Sequence, residues 1–118
     1  MKVKKEKSLE NERGSLVEFI TRKYNIEQVN ILFSFANTIR GNHYHKVTEE
    51  FFYVIDGKVK VSIRNIKTGK TYNFIVSSKE SFKVNPYHYH TLEFLKDTQI
   101  LSFYSKEFDI NDTDIFTL

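Results

Sequence analysis

Apolar and polar residues alternate with period two along most of this chain, and no other feature constrains the fold as strongly. Val59–Arg64 alternates in this way, as a half-buried strand does. Asp56-Gly57 before it and Lys67–Lys70 after it supply turn residues, which separate it from strands expected at 50–55 and 71–76. Strands of five or six residues joined by short turns predict an all-β sandwich or barrel.

Other short apolar runs predict strands at residues 16–20, 29–35, 81–84, 88–94 and 100–104. The one segment that could form a short helix is 20–26. A chain of 118 residues has the usual size of one domain. We therefore predict a single domain over 1–118, with residues 1–8 as an arm that is flexible or exchanged between subunits.

Composition excludes several classes of protein. Hydrophobic residues make up 40% of the chain and aromatic residues 15%, which is typical of a globular core. The absence of cysteine excludes disulfides and thiolate chemistry. No apolar run approaches the roughly 20 residues of a membrane span, and the N-terminus lacks the apolar stretch of a secretory signal. The net charge of +3 comes largely from N-terminal lysines. We expect a cytoplasmic protein that binds neither membrane nor nucleic acid.

All four histidines fall in two identical tripeptides, His43-Tyr44-His45 and His88-Tyr89-His90. Strand alternation places both histidines of a triplet on one face and the tyrosine on the other. If the two strands are neighbours, four imidazoles converge inside the barrel. Neutral imidazole binds divalent metals, and imidazole also transfers protons near neutral pH.

A carboxylate follows the first triplet, at Glu49 or Glu50. Alternation allows only one of these side chains to point inward. Phe52 and Val54 share the face of Glu50, so we expect Glu50 inside the barrel and Glu49 in solvent.

These residues resemble a known family. The run His43-x-His45, four residues, Glu50, six residues and Gly57 is similar to the first cupin motif. Pro86-x-x-x-His90 resembles the core of the second motif, although a Phe stands at position 94, where that motif usually carries Asn. The resemblance implies an antiparallel double-stranded β-helix, the cupin jelly-roll barrel.

A narrower likeness covers nearly the whole chain. Glu12–Val17 and Arg40–Lys46 resemble the two signatures of the RmlC-like, sugar-nucleotide branch of cupins, and the tail Ser105–Phe116 is similar to the end of that branch. The branch contains the dTDP-4-keto-6-deoxyglucose 3,4-ketoisomerases and, more distantly, the dTDP-4-dehydrorhamnose 3,5-epimerases. It implies a homodimer that isomerises or epimerises a 4-keto-6-deoxysugar nucleotide through an enediol.

The resemblance also implies roles for single residues. His45 is expected to be the base, with His43 as its partner or as the group that stabilises the oxyanion. Arg13 and Arg40 match arginines that hold substrate or brace the site. A phenolic proton donor would come from a tyrosine, and the sequence does not select among Tyr53, Tyr72 and Tyr104.

One departure concerns metal. The ketoisomerases generally work without metal, yet this chain keeps the full metal-binding set of His43, His45, Glu50 and His90. The cupin part of capsular-polysaccharide synthesis enzymes is similar in its Arg-Gly-Asn-His-x-His run and does carry metal. A ketoisomerase-like mechanism needs no cofactor, whereas the full set would bind one divalent metal (Zn, Fe, Mn or Ni). A metal-dependent dioxygenase or metallo-isomerase and a non-catalytic sugar-binding cupin are the alternatives.

Overall fold

The computed structural model describes residues 3–6, 8–22 and 24–118. Over these residues the chain forms eleven strands, which are β1 (Lys4–Lys5), β2 (Ser8–Asn11), β3 (Gly14–Val17), β4 (Gln28–Ser34), β5 (Ile39–His43), β6 (Glu50–Asp56), β7 (Lys58–Asn65), β8 (Thr71–Ser77), β9 (Glu80–Val84), β10 (His88–Phe94) and β11 (Thr98–Tyr104).

The strands form two facing antiparallel sheets and a small hairpin. The larger sheet has the order β1-β9-β6-β11-β4, and the smaller has the order β5-β10-β7-β8. Among the described residues, strands β2 and β3 pair with each other and with no other strand. The predicted all-β fold is confirmed, and its sheets have the non-sequential strand order of a jelly roll.

The hairpin of β7 and β8 shows why this sequence forms strands. Val59, Val61 and Ile63 alternate with polar residues and are almost completely buried. Gly69 closes the turn at φ 78°, a conformation that glycine adopts without strain. The turn predicted at Lys67–Lys70 is therefore confirmed.

The core lies between the two sheets. Phe52 of β6 stacks on Phe82 of β9, with ring centroids 4.8 Å apart. Burial of each large apolar side chain stabilises the fold by about 1.5–3 kcal/mol. The inward positions of both sheets supply the other members, namely Val54, Val59, Val61, Ile63, Val76, Val84, Leu92, Phe94 and Ile100.

Two predictions for the N-terminal third are wrong. Residues 20–22 and 24–26 form no helix, and β3 ends at Val17 instead of reaching Ile20; Lys23 lies outside the described residues. Phe19 explains both differences, because its ring packs on Tyr53 (centroids 4.9 Å apart) and draws the chain across the outer face of the larger sheet. This packing outweighs the weak local preference for helix.

The N-terminal arm is partly ordered. Lys4 and Lys5 pair with Ser81 and Glu80 at the edge of β9, while Met1, Lys2 and Lys7 lie outside the described residues. Exchange of the arm between subunits stays a prediction. Within the described part of the chain, no helix has the length and apolar character that a membrane crossing requires.

Candidate functional site

The two triplets meet on neighbouring strands. His43 ends β5, and its Cα pairs with that of His90 in β10. Their rings are 4.7 Å apart and nearly perpendicular. Gly41 allows this approach, because a Cβ at its position would lie 2.7 Å from the carbonyl oxygen of His90. The expectation that the triplets lie side by side is confirmed.

His45 and Glu50 complete the cluster. The His45 ring is 5.0 Å from that of His43, and its Nε2 contacts Oε1 of Glu50. The same oxygen lies 3.7 Å from Nε2 of His90. One ligand atom from each of the four residues lies within 4.8 Å of the others, as in a metal-binding site.

His88 does not join the cluster, and the expected convergence of four imidazoles is wrong. Nδ1 of His88 lies 2.9 Å from the carbonyl oxygen of Pro86, which holds the ring back toward the preceding turn. Tyr87 has φ 60° in that turn, and β10 begins only at His88. Two residues along a strand span about 7 Å, so a side chain on the correct face still lies outside the cluster.

The orientation expected for the two glutamates is confirmed. Glu50 is 3% exposed and shares the inner face of β6 with Phe52 and Val54. Glu49 lies at the surface, where its carboxylate pairs with Nζ of Lys83 at 2.6 Å.

Backbone carbonyls determine where two of the rings carry their proton. Nδ1 of His90 lies 3.0 Å from the His88 oxygen, and Nδ1 of His45 lies 2.7 Å from the Asp114 oxygen. A carbonyl only accepts, so Nδ1 donates in both rings and each Nε2 lone pair faces Glu50. Two lone pairs and a buried carboxylate repel one another unless a cation lies between them. The donor set therefore fits a divalent metal ion or a shared proton.

The cluster shifts the pKa values of its histidines in different directions. Burial lowers the pKa of His90 to about 4, and burial together with the charge of His45 lowers the pKa of His43. Burial acts in the same direction on His45, but the Glu50 carboxylate and the Asp114 carbonyl outweigh it and raise the pKa of His45. At neutral pH, His43 and His90 are neutral and able to act as ligands or bases.

A cavity of about 50 Å³ opens onto His43 and His45. Thr48, Tyr104 and residues 106–108 and 112–115 of the C-terminal segment form the rest of its wall. This volume has room for an ion and a few ligand atoms. A cavity of about 510 Å³ lies on the outer face of the larger sheet, over Phe51 and Phe103, and contains no histidine.

Only one of the three tyrosines considered lies in the histidine cavity. Tyr104 pairs with Glu50 across β11 and β6, and burial, reinforced by that carboxylate, raises the pKa of Tyr104 to about 12. Tyr53 is buried on the opposite face of β6 against Phe19. Tyr72 lies on β8, beyond the intervening β7, with the Lys70 ammonium over its ring.

The two arginines differ in position. Arg40 lies opposite Leu92 in β10, and its Nε donates to Oγ of Ser34 at 2.6 Å across the gap between the two sheets. Arg13 lies in the exposed turn between β2 and β3, where its backbone N–H donates to Asn11. Neither side chain lines the histidine cavity.

Sequence reasoning missed Asp114, whose carbonyl contacts His45. Asp114 lies 69 positions from His45, in the acidic tail whose likeness to the sugar-nucleotide branch implied no role for any single residue. A single aspartate in such a tail carries no motif or period that would mark it.

Comparison with protein families gives a direct result. Residues 9–116 match the model of the polysaccharide biosynthesis C-terminal domain family. The chain belongs to this family. A search of curated proteins finds no match.

Solved structures confirm the RmlC-like cupin fold. The chain superposes with a TM-score of 0.87 on the WlaRB TDP-quinovose 3,4-ketoisomerase from Campylobacter jejuni, at 18% identity over 99% of this chain and 92% of that one. For the rmlC epimerase of Mycobacterium tuberculosis, the TM-score is 0.83 at 17% identity, over 98% and 67% of the chains. The capsular polysaccharide assembling protein CapF of Staphylococcus aureus is 27% identical with a TM-score of 0.71, over 96% of this chain and 32% of CapF. This chain thus spans about a third of CapF.

Proposed function

We propose that this protein is an isomerase or epimerase of a 4-keto-6-deoxysugar nucleotide. The observation that carries the proposal is the largely buried cluster of His43, His45, Glu50 and His90 inside an RmlC-like barrel, with His43 and His45 lining a cavity. Membership of a polysaccharide biosynthesis family supports the class of substrate. Similar folds named as sugar-nucleotide ketoisomerases and epimerases support the type of reaction.

The reaction requires proton transfer beside a keto group. The 4-keto group acidifies the neighbouring C–H, a base removes that proton, and the enediol regains a proton at another carbon or face. Positioned acid–base groups contribute about 10²–10⁴-fold to the rate. Tyr104 is protonated at neutral pH and lines the cavity, so we assign it as a proton donor. Lys106, also in the wall, is placed to meet an anionic phosphate.

We further propose that His43, His45, Glu50 and His90 hold one divalent metal ion. The two Nε2 lone pairs that face Glu50 support this assignment. A bound divalent ion supplies Lewis acidity, which stabilises negative charge on an oxygen beside it. The protein holds the imidazoles of His45 and His90 in the Nδ1–H form and excludes water from the site.

A metal-free mechanism is the second candidate, favoured by the opposed pKa shifts of two neighbouring rings. His43 has a lowered pKa and is suited to be the base. His45 has a raised pKa and contacts Glu50, so it is suited to return the proton. Environments that push two pKa values apart are typical of an acid and base pair. This order reverses the roles that the family resemblance implies for the two histidines.

Metal content separates the two candidates. Mass spectrometry of the purified, untagged protein is expected to find about one divalent metal per chain, and none in His90→Ala. Wild-type protein without metal would favour the acid–base pair of His43 and His45. A metal-loaded protein that consumes oxygen and exchanges no sugar proton would favour a dioxygenase.

Turnover is tested on a panel of 4-keto-6-deoxysugar nucleotides in deuterated water, with NMR following the solvent exchange of sugar protons. Exchange beside the keto group supports the proposal. Tight binding without exchange on every substrate would contradict it and indicate a sugar-binding protein. The cavity of about 50 Å³ is smaller than a sugar ring, so we expect binding to move the wall at Glu107 and Phe108, which are exposed.

We also propose a homodimer through the outer face of β4. Val29, Ile31 and Phe33 point outward and are at least half exposed, while the polar Asn30 and Ser34 point inward. Leu32 also points inward, where it packs against the core. The outward stripe of β4 is nevertheless strongly apolar, and such a stripe on an edge strand favours pairing with another chain. The stripe carries no charge, and two edge strands related by a two-fold axis cover each other.

The cytoplasmic location likewise remains a proposal.

Small-angle scattering tests the assembly. Wild-type protein is expected to scatter as a dimer and Ile31→Lys as a monomer. Ile75→Lys is the matched control, because Ile75 is half exposed on β8 at the edge of the other sheet. A monomeric wild type at high concentration would contradict the dimer.

A further inference from the structure

The C-terminal segment is bound to the loop that joins His45 to β6. The Asp114 carboxylate accepts hydrogen bonds from three consecutive backbone N–H groups, those of Lys46 (2.9 Å), Val47 (3.0 Å) and Thr48 (2.7 Å). Its side chain is buried, and these hydrogen bonds lower the pKa of Asp114 although burial opposes them. One carboxylate therefore anchors the whole loop.

The backbone of the same residue orients the histidine. The Asp114 carbonyl oxygen accepts the hydrogen bond from Nδ1 of His45, at 2.7 Å. Nε2 is thereby left to face Glu50. In metal sites, the partner of the second ring nitrogen determines both the tautomer and the orientation of the ring.

Backbone conformation brings the two contacts together. Asp114 has φ 52°, in the left-handed region, and Asp tolerates this region better than most residues do. Both its carboxylate and its carbonyl meet residues 45–48 as a result. Two hydrogen bonds between Tyr44 and Phe116, of 2.9 and 3.0 Å, hold the segment beyond it.

We propose that Asp114 is a positioning residue that holds His45 with Nε2 directed toward His43, Glu50 and His90. The affinity of this set for a divalent cation then depends on the C-terminal segment as well as on the histidine motif. The statement about cation affinity rests on the proposed metal site, while the statement about the His45 ring does not.

Zn²⁺ affinity of the full chain, measured by competition with a chromophoric chelator, is the first test. Asp114→Gly removes the carboxylate and keeps the left-handed backbone free of strain. Its Zn²⁺ affinity is expected to be about 10–100-fold weaker than that of wild type. Asp109→Asn is the matched control, because Asp109 lies in the same segment, is exposed and outside the cavity wall, and its carboxylate accepts a hydrogen bond from the backbone N–H of Asn111 at 2.9 Å. It is expected to bind as wild type does.

The tautomer of His45 is the second test, and it needs no metal. In chelator-treated protein at alkaline pH, ring ¹⁵N NMR is expected to show Nδ1–H for wild type and Asp109→Asn. Asp114→Gly is expected to lose this preference. If the wild-type protein binds no Zn²⁺, the proposed metal site is wrong, but the measured tautomer of His45 still tests the role of Asp114.

Retention of both Nδ1–H and wild-type Zn²⁺ affinity in Asp114→Gly would overturn the proposal. A lower unfolding temperature alone, with the tautomer unchanged, would also overturn it, because it shows a merely structural role. If Asp114→Gly does not fold, Asp114→Asn replaces it, since the amide oxygen still accepts part of the loop's N–H bonds. Asp114→Asn is then expected to show smaller changes in the same direction.

Discussion

The two His-Tyr-His triplets share one sequence but contribute differently to the site. The first supplies both imidazoles, because His43 ends β5 and the Asp114 carbonyl holds His45 just beyond it. The second supplies only His90, because His88 lies at the start of β10 and bonds back to Pro86. Alternation therefore determines the face of the sheet on which a side chain lies, whereas its depth along the strand determines whether it reaches the site.

The triplets also differ in electrostatics. His45 contacts Glu50 directly, and the carboxylate outweighs burial and raises the pKa of that ring. His90 lies 3.7 Å from the same carboxylate, and burial dominates and lowers its pKa to about 4. Contact with the Glu50 carboxylate and the Asp114 carbonyl therefore raises the pKa of His45, whereas burial without such a direct contact lowers that of His90.

The largest expected effect separates equivalent residues of the two triplets. His45→Asn is expected to reduce turnover by about 10²–10⁴-fold, because it removes a metal ligand or the proton donor. His88→Asn is expected to keep turnover close to that of wild type. Steady-state kinetics on the active nucleotide sugar, with circular dichroism to confirm folding, measures both. Equal losses would show that His88 does belong to the site.

A second prediction concerns the approach of β5 to β10. At Gly41 (φ 93°) a Cβ would lie 2.7 Å from the His90 oxygen, so Gly41→Ala should push the triplets apart and destabilise the fold by about 2–4 kcal/mol. Gly69→Ala carries a similar φ of 78° but meets no atom within 4 Å. It should cost only about 1–2 kcal/mol. Urea unfolding compares the two, and equal costs would mean that the close approach contributes nothing.

A third prediction concerns pH and the chelator-treated protein. The unfolded chain binds protons below the usual histidine pKa of 6.5, whereas folded His90 stays neutral down to about pH 4. The contribution of His90 to the free energy of unfolding is therefore fully present above pH 6.5 and lost as the pH falls toward 4. The lowered pKa of His43 acts in the same direction. His45, with its raised pKa, contributes in the opposite sense: its stabilisation is present at low pH and lost as the pH rises through its folded pKa.

Thermal unfolding from about pH 4 to above pH 6.5 measures the net effect of these histidines on stability. His90→Gln should make the rise in stability between about pH 4 and 6.5 shallower, whereas His45→Gln should remove the loss of stability above pH 6.5. If stability depended on pH in the same way in both variants, the pKa values of His45 and His90 would not be shifted in opposite directions.

The smallest expected effect concerns Tyr44 and Tyr89, the middle residues of the two triplets. Tyr44 packs against Phe116 and Tyr87, with centroids 5.6 and 6.2 Å away, and so helps to hold the C-terminal segment. Tyr44→Ala is expected to cost about 1–2 kcal/mol of stability, and Tyr89→Ala about 0.5 kcal/mol. Calorimetry distinguishes the two variants. A cost for Tyr89→Ala at least as large as that for Tyr44→Ala would contradict this reading.

Much of the fold was predictable because strand alternation is a local property. The strands expected at 50–55, 59–64 and 71–76 form at 50–56, 58–65 and 71–77. The short strands β1 and β2 were missed, because pairing with β9 and β3 defines them more than their own sequences do. The helix expected at 20–26 was wrong, since the long-range contact of Phe19 with Tyr53 governs that segment.

By itself, the sequence determined the all-β class, the inward face of Glu50 and the two histidine pairs, since each follows from a period of two residues. Only the tertiary structure decided that His88 stays outside, that Tyr104 is the tyrosine in the cavity and that Asp114 orients His45. The physical reason is distance along the chain. A contact between residues 69 positions apart depends on how both sheets and the tail pack together, and no local pattern encodes that.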